Sequence, residues 1–402
     1  MRKLLSSAAA AAVLLAGCVS NDNASGKGGS SGAQRLSVTI ADDKCDVSAE
    51  KTESGRVVFT LKNEGTVKNE FEILAPDKLR IVGERENLVP GTTVKYTVVL
   101  EPGSYYTACK KNMVGALVGA KKFTVSDSGK KVEASGDEKK LQEQAVSNYN
   151  AYNRDQAGQL LEKTKAFAEA YKAGDLDKAR SLYAATRQHY ERIEPTAEKF
   201  GDLDPALDER EADWQETEDK DTRAWKGWHY IEKDLWRPDG FEGLNDEQRA
   251  KASEQLVADT QKLYDLVYAK DFSIKLADIS NGAINLLEEV ATTKITGEEE
   301  AFSHTDLWDF QANVEGAKVA YGNVEAIAKK KDPALAKEIS KRFDQLQAEL
   351  DKYKQGDGYV YYDKLNEDQR KQLSNSVNAL RKPLAKLTEA ILKDAGESTS
   401  KK

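Results

Sequence analysis

The sequence predicts two domains of different class: an N-terminal β-sandwich followed by an all-α helical bundle. Three observations predict this. Residues of about 35 to 126 carry short, alternating or β-branched runs at regular spacing. From about 140 to 396 the pattern changes to long helices with few Pro or Gly. Between them, 127–139 is polar and holds Ser-Gly-Lys-Lys and Ser-Gly-Asp-Glu, the composition of a linker.

The strand runs are 36–40, 56–61, 93–100 and 122–125. Asn63-Glu64-Gly65, Pro90-Gly91 and Pro102-Gly103 punctuate them as turns. The helices are expected at roughly 140–173, 175–200, 220–237, 245–271, 274–295, 303–329, 331–355 and 365–394. Asp175 and Asn245 read as helix starts. Ser303 with Asp306, and Thr296 with Glu299, read as capping boxes. The helical segment is long enough to build one full core.

The N-terminus reads as a processing segment. Arg2 and Lys3 precede a short apolar core at 4–15, too short to span a bilayer. Leu15-Ala16-Gly17-Cys18 then has the pattern of a lipoprotein cleavage site, so 1–17 is expected to be a signal peptide and Cys18 the lipidated residue. Each buried acyl methylene contributes about 0.8 kcal/mol, so a multiply acylated Cys18 anchors firmly. A Ser/Gly/Asn-rich tether completes 18–34. The chain is thus expected to be exported and held at a membrane by Cys18, at the cell surface or in the periplasm. The formal charge of −8 becomes about −10 when Arg2 and Lys3 are removed. An acidic surface argues against nucleic acid and is compatible with cations.

The candidate chemistry starts at Trp228-His229-Tyr230-Ile231-Glu232, in a stretch that holds four of the five tryptophans and one of only three histidines. On a helix, His229 and Glu232 stand one turn apart on one face, where they can share a metal ion. Glu191 and Glu194 repeat the i, i+3 spacing. Like charges so placed disfavour a helix unless something positive lies between them, and a metal ion or a solvated face each answers that. His189 points away from this pair and reads as structural. Asp208 lies in a turn where it can reach inward or cap a helix. Glu289 flanks an apolar helix face marked by Ile279, Ala283, Leu286, Leu287 and Val290, while Glu288 points further out. His304 reads as a surface residue. In the first domain the candidates are Cys45, Glu70, Glu72 and Cys109, with Glu84 and Glu86 nearby. A blue-copper centre needs histidines, and this domain has none. A Cys/Glu metal site and a plain Cys45–Cys109 disulfide both stand open. There is no His-Glu-x-x-His helix and no phosphate-binding Gly loop, and the Gly-x-Ser-x-Gly run at Gly28–Gly32 falls in the Ser/Gly-rich tether and not at a strand-to-helix elbow.

These stretches resemble the EfeO-type family of iron-uptake lipoproteins, in which a cupredoxin-like domain precedes an imelysin-like, peptidase-like helical domain. The resemblance is carried by 182–195, His229-x-x-Glu232, 287–291, 294–300, 303–307 and 309–313. Glu84-Arg85-Glu86-Asn87 and the pair Cys45 and Cys109 carry it in the first domain. It implies a carboxylate-rich metal site in the helical domain, with His229 and Glu232 matching the motif and Glu191, Glu194, Asp208 and Glu289 matching nearby carboxylates. It implies a first-domain metal held by Cys45, Glu70 and Cys109. Thr107-Ala108 departs from a methionine the family can carry there, and Met113 is the substitute. The cargo implied is iron, ferrous or ferric, with copper or zinc as further candidates. The implied role is an extracytoplasmic, non-enzymatic component of an EfeUOB-type system that captures iron and delivers it to a permease. The implied partners are that iron permease and a haem peroxidase-like component. The alternative is a metallopeptidase of the imelysin-like family.

Overall fold

The structure is a computed structural model and describes residues 34–112, 116–129, 138–217 and 220–392. The expected signal peptide, Cys18, its tether, Met113, most of the linker and the end of the helical segment beyond 392 lie outside those residues.

Nine described strands make two sheets before residue 127. They are β1 (Gln34–Ala41), β2 (Lys44–Val47), β3 (Lys51–Glu53), β4 (Gly55–Asn63), β5 (Asn69–Leu74), β6 (Ile81–Leu88), β7 (Thr93–Leu100), β8 (Gly103–Lys111) and β9 (Val118–Ser126). One sheet runs β2-β1-β4-β7 and the other β3-β9-β8-β5-β6. Most pairs are antiparallel, but β1 runs parallel to β4 and β3 to β9. The two inner faces meet in one apolar core that includes Val38, Ile40, Phe59, Leu61, Phe71, Ile73, Phe123 and Val125. This is sheet-on-sheet packing, with alternate residues of each strand turned inward.

The expected runs fall in β1, β4, β7 and β9. The strands without such a run include β5 and β8, and β5 shows why. It reads Asn-Glu-Phe-Glu-Ile-Leu, yet all six residues are buried. Phe71 and Ile73 enter the sandwich core, while Glu70 and Glu72 face the helical domain. There Lys110 of β8, fully buried, reaches Glu72 at 3.1 Å and Glu70 at 3.8 Å, and also pairs with Asp155 of the first helix.

This geometry corrects one expectation. Cys45 and Cys109 form a disulfide, 5.5 Å between Cα atoms, and a disulfide offers no thiolate to a metal. Glu70 cannot join them either. In the β5–β8 ladder Phe71 faces Cys109 and Glu70 faces Lys110, so the carboxylate and the sulfurs project from opposite faces of the sheet. The set Cys45, Glu70 and Cys109 is therefore not a metal site in this structure. Its sulfurs sit in the sandwich core beside Phe71. The bridge spans a separation of 64 residues, for which chain entropy predicts about 4 kcal/mol of stabilisation. Replacing both cysteines by alanine should lower the unfolding free energy of the sandwich by about that amount in a urea titration. An unchanged midpoint would contradict it.

The helices are α1 (Glu138–Lys172), α2 (Leu176–Glu191), α3 (Leu203–Asp208), α4 (Glu211–Glu216), α5 (Trp228–Trp236), α6 (Asp246–Tyr268), α7 (Leu276–Thr292), α8 (Asp306–Lys331), α9 (Pro333–Leu350), α10 (Glu367–Leu384) and α11 (Leu387–Leu392). One apolar core runs through them. α1 packs against α2, α6 and α8, and α8 against α7 and α9. Asp175 and Asn245 cap α2 and α6 as expected, each accepting from a backbone N–H three residues on.

Three departures shape the site. The expected helix over 175–200 stops at Glu191 and resumes as a 3-10 turn, Glu194–Lys199. Pro195 explains this, because it has no N–H to bond the carbonyl of Glu191, four residues back, and its ring would clash with that carbonyl in a continuing α-helix. Gly282 and Gly316 let the broken segment approach: a Cβ at either would lie inside the carbonyls of Pro195 and Arg192. The expected helix over 220–237 begins only at Trp228, after Gly227 at φ 93°. The two expected capping boxes do not form. α8 begins at Asp306, after Thr305, and Ser303 instead bonds Glu300. Thr296 ends a short 3-10 turn at Gly297.

Candidate metal centre

The last turns of α2 place Arg187 and Glu191 one turn apart, both with no exposed surface. The guanidinium is enclosed by acids. It pairs with Glu191 and Asp208, and stands 2.6 Å from Glu300, 3.3 Å from Asp309 and 3.9 Å from Glu299. The break after α2 turns Glu194 toward Glu191. Something positive does lie between them: the ammonium of Lys294, buried, 3.1 Å from Glu191, 2.7 Å from Glu194 and 3.3 Å from Glu299. Asn313 of α8 donates to both carboxylates.

His229 and Glu232 stand on one face of α5, as the spacing predicts, but they first bond each other. Nδ1 of His229 is 2.9 Å from Oε2 of Glu232. The other oxygen of Glu232 accepts the backbone N–H groups of Phe302 and Ser303 at 2.9 and 2.7 Å. Glu232 therefore fixes the imidazole ring, as carboxylates do behind metal-bound histidines. That leaves Nε2. It is buried, has no hydrogen-bond partner among the described residues, and lies 3.6 Å from Asp208 and 4.0 Å from Glu299. Ligand atoms of Asp208, His229 and Glu299 all fall within 4.8 Å of one another, and so do those of His229, Glu232 and Glu300.

The cluster holds more acid than its cations can balance. Arg187 and Lys294 face Glu191, Glu194, Asp208, Glu232, Glu299, Glu300 and Asp309. Burial works against charge on Glu191, Glu194, Asp208, Glu232, Glu300 and Asp309, but the cations rescue only some. Burial would raise Glu191, yet Lys294 and Arg187 outweigh it and hold its carboxyl at about 2. Burial raises Glu194, Glu300 and Asp309 well above the usual range despite the same cations. Burial pushes Asp208 and Glu232 up to about 7 against the pull of Arg187 and, at Glu232, of the backbone N–H groups. Burial, with Arg187 beside it, depresses His229 to about 4, so the imidazole is neutral and its lone pair available.

These shifts set a pH dependence for the metal-free chain. Asp208 and Glu232 have folded values above their unfolded ones, so their stabilisation is full below about 4 and is lost as pH rises through about 7. His229 acts oppositely, and its effect is complete by its unfolded value of 6.5. Between pH 6.5 and 8 the carboxylates act alone. The chelator-treated chain should melt at a lower temperature at pH 8 than at pH 6.5, and the pair Asp208→Asn with Glu232→Gln should flatten that slope. A wild-type melting temperature that rises over this interval would contradict the account.

Two cavities reach the cluster. One, of about 400 Å³, is lined by Glu194, Asp204, Asp208, Glu289 and Glu299. The other, of about 300 Å³, is lined by His229, Glu232 and Glu299. Arg210 lines both, 3.6 Å from Glu299.

Of the residues expected from sequence, the structure brings Glu191, Glu194, Asp208, His229 and Glu232 together. Glu289 is exposed and stands at the rim of the larger cavity. His189 is buried against Gln156 at 2.9 Å, the structural role expected of it. His304 is half-buried in the turn before α8, with φ 56°. Sequence reasoning missed Arg187, Lys294, Glu299, Glu300, Asp309 and Asn313. Arg187 had a signal, its i, i+4 spacing to Glu191. Glu299 and Glu300 had the triple glutamate after Gly297, but nothing local says that this loop folds inward.

Comparison with known proteins agrees with this architecture. The family model described as Imelysin matches residues 145–387, and the one described as Cupredoxin-like domain matches 7–118. The iron uptake system component EfeO of Escherichia coli strain K12 is 37% identical over 354 residues, covering 88% of this chain and 90% of that protein. The proteins of the same name from Shigella flexneri and Shigella sonnei match to the same extent. The chain thus belongs to the EfeO family of iron uptake system components, with a cupredoxin-like domain followed by an imelysin domain.

Proposed function

We propose that this chain is the metal-binding component of an EfeUOB-type iron-uptake system, capturing iron outside the cytoplasm and delivering it to a membrane permease. One observation carries the reading: the buried, unpartnered Nε2 of His229, aimed at Asp208 and Glu299 inside a cluster with surplus carboxylate. A cation there would satisfy the nitrogen and displace the protons that the acids otherwise hold. One imidazole among carboxylates suits hard or borderline ions such as ferrous or ferric iron. His229 with Asp208 and Glu299 would bind first, Glu232 would orient the ring, Glu194 and Glu289 would line the approach, and Glu191 would stand behind them, paired with Arg187 and Lys294. Arg187 and Lys294 limit the net charge, so affinity stays moderate enough for hand-over. The N-terminal sequence supports anchoring through lipidated Cys18, and membership of the family supports a haem peroxidase-like partner beside the permease.

The role is binding, not catalysis. A zinc peptidase takes several protein ligands and a general base around an open position. Here one histidine serves the cluster, and its neighbouring glutamate is occupied in orienting it. Thermal melting tests the reading. Iron at about 100 times its dissociation constant should add about 2.7 kcal/mol to the chelator-treated chain. Casein should stay intact. Unchanged melting, or casein cleavage lost on Glu232→Ala, would overturn it.

A further inference from the structure

A third cavity, of about 510 Å³, lies where the sandwich meets α1 and α8, away from the acidic cluster. Its volume falls in the range of small-molecule sites, about 300–1,000 Å³. One wall is apolar: Val82, Val98, Leu141 and Ile327, with the rings of Tyr96 and Tyr105. The polar group that matters is Arg80. Its side chain is half-buried, and its guanidinium has no hydrogen-bond or ion-pair partner among the described residues. It lies flat on Gly322 of α8: a Cβ there would stand 2.7 Å from both Cδ and Nε of Arg80. The glycine thus makes room for this arginine. Of the other charged lining residues, Lys329 and Glu325 neutralise each other at 3.1 Å. Lys140 and Glu101 remain, so the cavity is left with one surplus positive charge.

We propose that this interdomain cavity binds a small carboxylate with a flat apolar body. The carboxylate pairs with the Arg80 guanidinium, whose planar fork takes such a group through two parallel hydrogen bonds. The flat body lies against Tyr96, Tyr105 and the aliphatic wall. Because Arg80, Tyr96 and Tyr105 belong to the sandwich and Leu141 and Ile327 to the helices, the ligand holds both domains at once.

The test is calorimetric titration of the chain from Val19 onward with 1-naphthoate and with its neutral analogue 1-naphthamide. The wild type should bind naphthoate at least about tenfold more tightly than the amide, the margin of a charge-assisted hydrogen bond. Arg80→Met should erase that preference. Ala326→Phe, which adds a ring to the cavity wall from an exposed position on α8, should weaken both ligands. Neither change should alter iron binding. No binding of naphthoate, equal binding of acid and amide, or naphthoate affinity retained in both variants would each overturn the proposal.

Discussion

Replacing Arg187 by methionine should lower the stability of the metal-free chain by about 3–5 kcal/mol at neutral pH, the range for breaking a buried ion pair from one side. The reason is the company it keeps. Its guanidinium touches Glu191, Asp208, Glu300 and Asp309, and all of them are cut off from solvent or nearly so. Methionine fills much of the same space, so the loss would come from stranded charge and not from a cavity. Two companion results identify the cause. The deficit should shrink at pH 5, where the acids can take up protons instead. It should also shrink when iron is added, because a bound cation replaces the charge that the arginine supplied. Urea unfolding at pH 5 and pH 7.5 measures both effects. A loss below about 1 kcal/mol, or one independent of pH, would show that the carboxylates are already neutral without Arg187.

The second large effect falls on affinity. Glu232→Ala should weaken iron binding by about 10- to 100-fold, the usual consequence of removing the partner that orients a metal-bound histidine. Glu232 lines the smaller cavity together with His229. Its oxygens are committed to Nδ1 of His229 and to the N–H groups of Phe302 and Ser303. Its loss would free the ring to rotate and would release the loop that carries Glu299. His229→Ala removes the nitrogen itself and should weaken binding at least as much. The folded state should survive in both variants, since the α5 face is held mainly by Trp228, Ile231 and Leu235 in the apolar core. If Glu232→Ala bound iron as tightly as wild type while His229→Ala did not, Glu232 would have no orienting role.

Much of this arrangement was legible in the sequence, and the limits are instructive. Where a residue faces one environment, pattern suffices: α6 with Asn245 at its start, or β7 with its alternating run. β5 was harder to read because both its faces are buried, one in the sandwich and one against α1, so Glu70 and Glu72 break the apolar pattern without being exposed. The same double burial separates Glu70 from the Cys45–Cys109 pair, which no spacing along the chain reveals. At the candidate metal centre, residues on one helix face were found from their spacing. The cations were not. Lys294 meets Glu191 from more than a hundred positions away, and it occupies the place between Glu191 and Glu194 where a positive charge was expected. A buried charge is matched by whatever the fold brings near, and sequence distance carries no trace of it.

The central claim is that the cluster around His229 binds iron. The most direct measurement is calorimetric titration of the chelator-treated chain from Val19 onward with iron, repeated on the double variant His229→Ala/Glu232→Ala. The account predicts saturable binding in the wild type, with proton release that changes the observed heat from buffer to buffer, and loss of that binding in the variant. Equal iron binding by the two proteins, or none by the wild type, would contradict it.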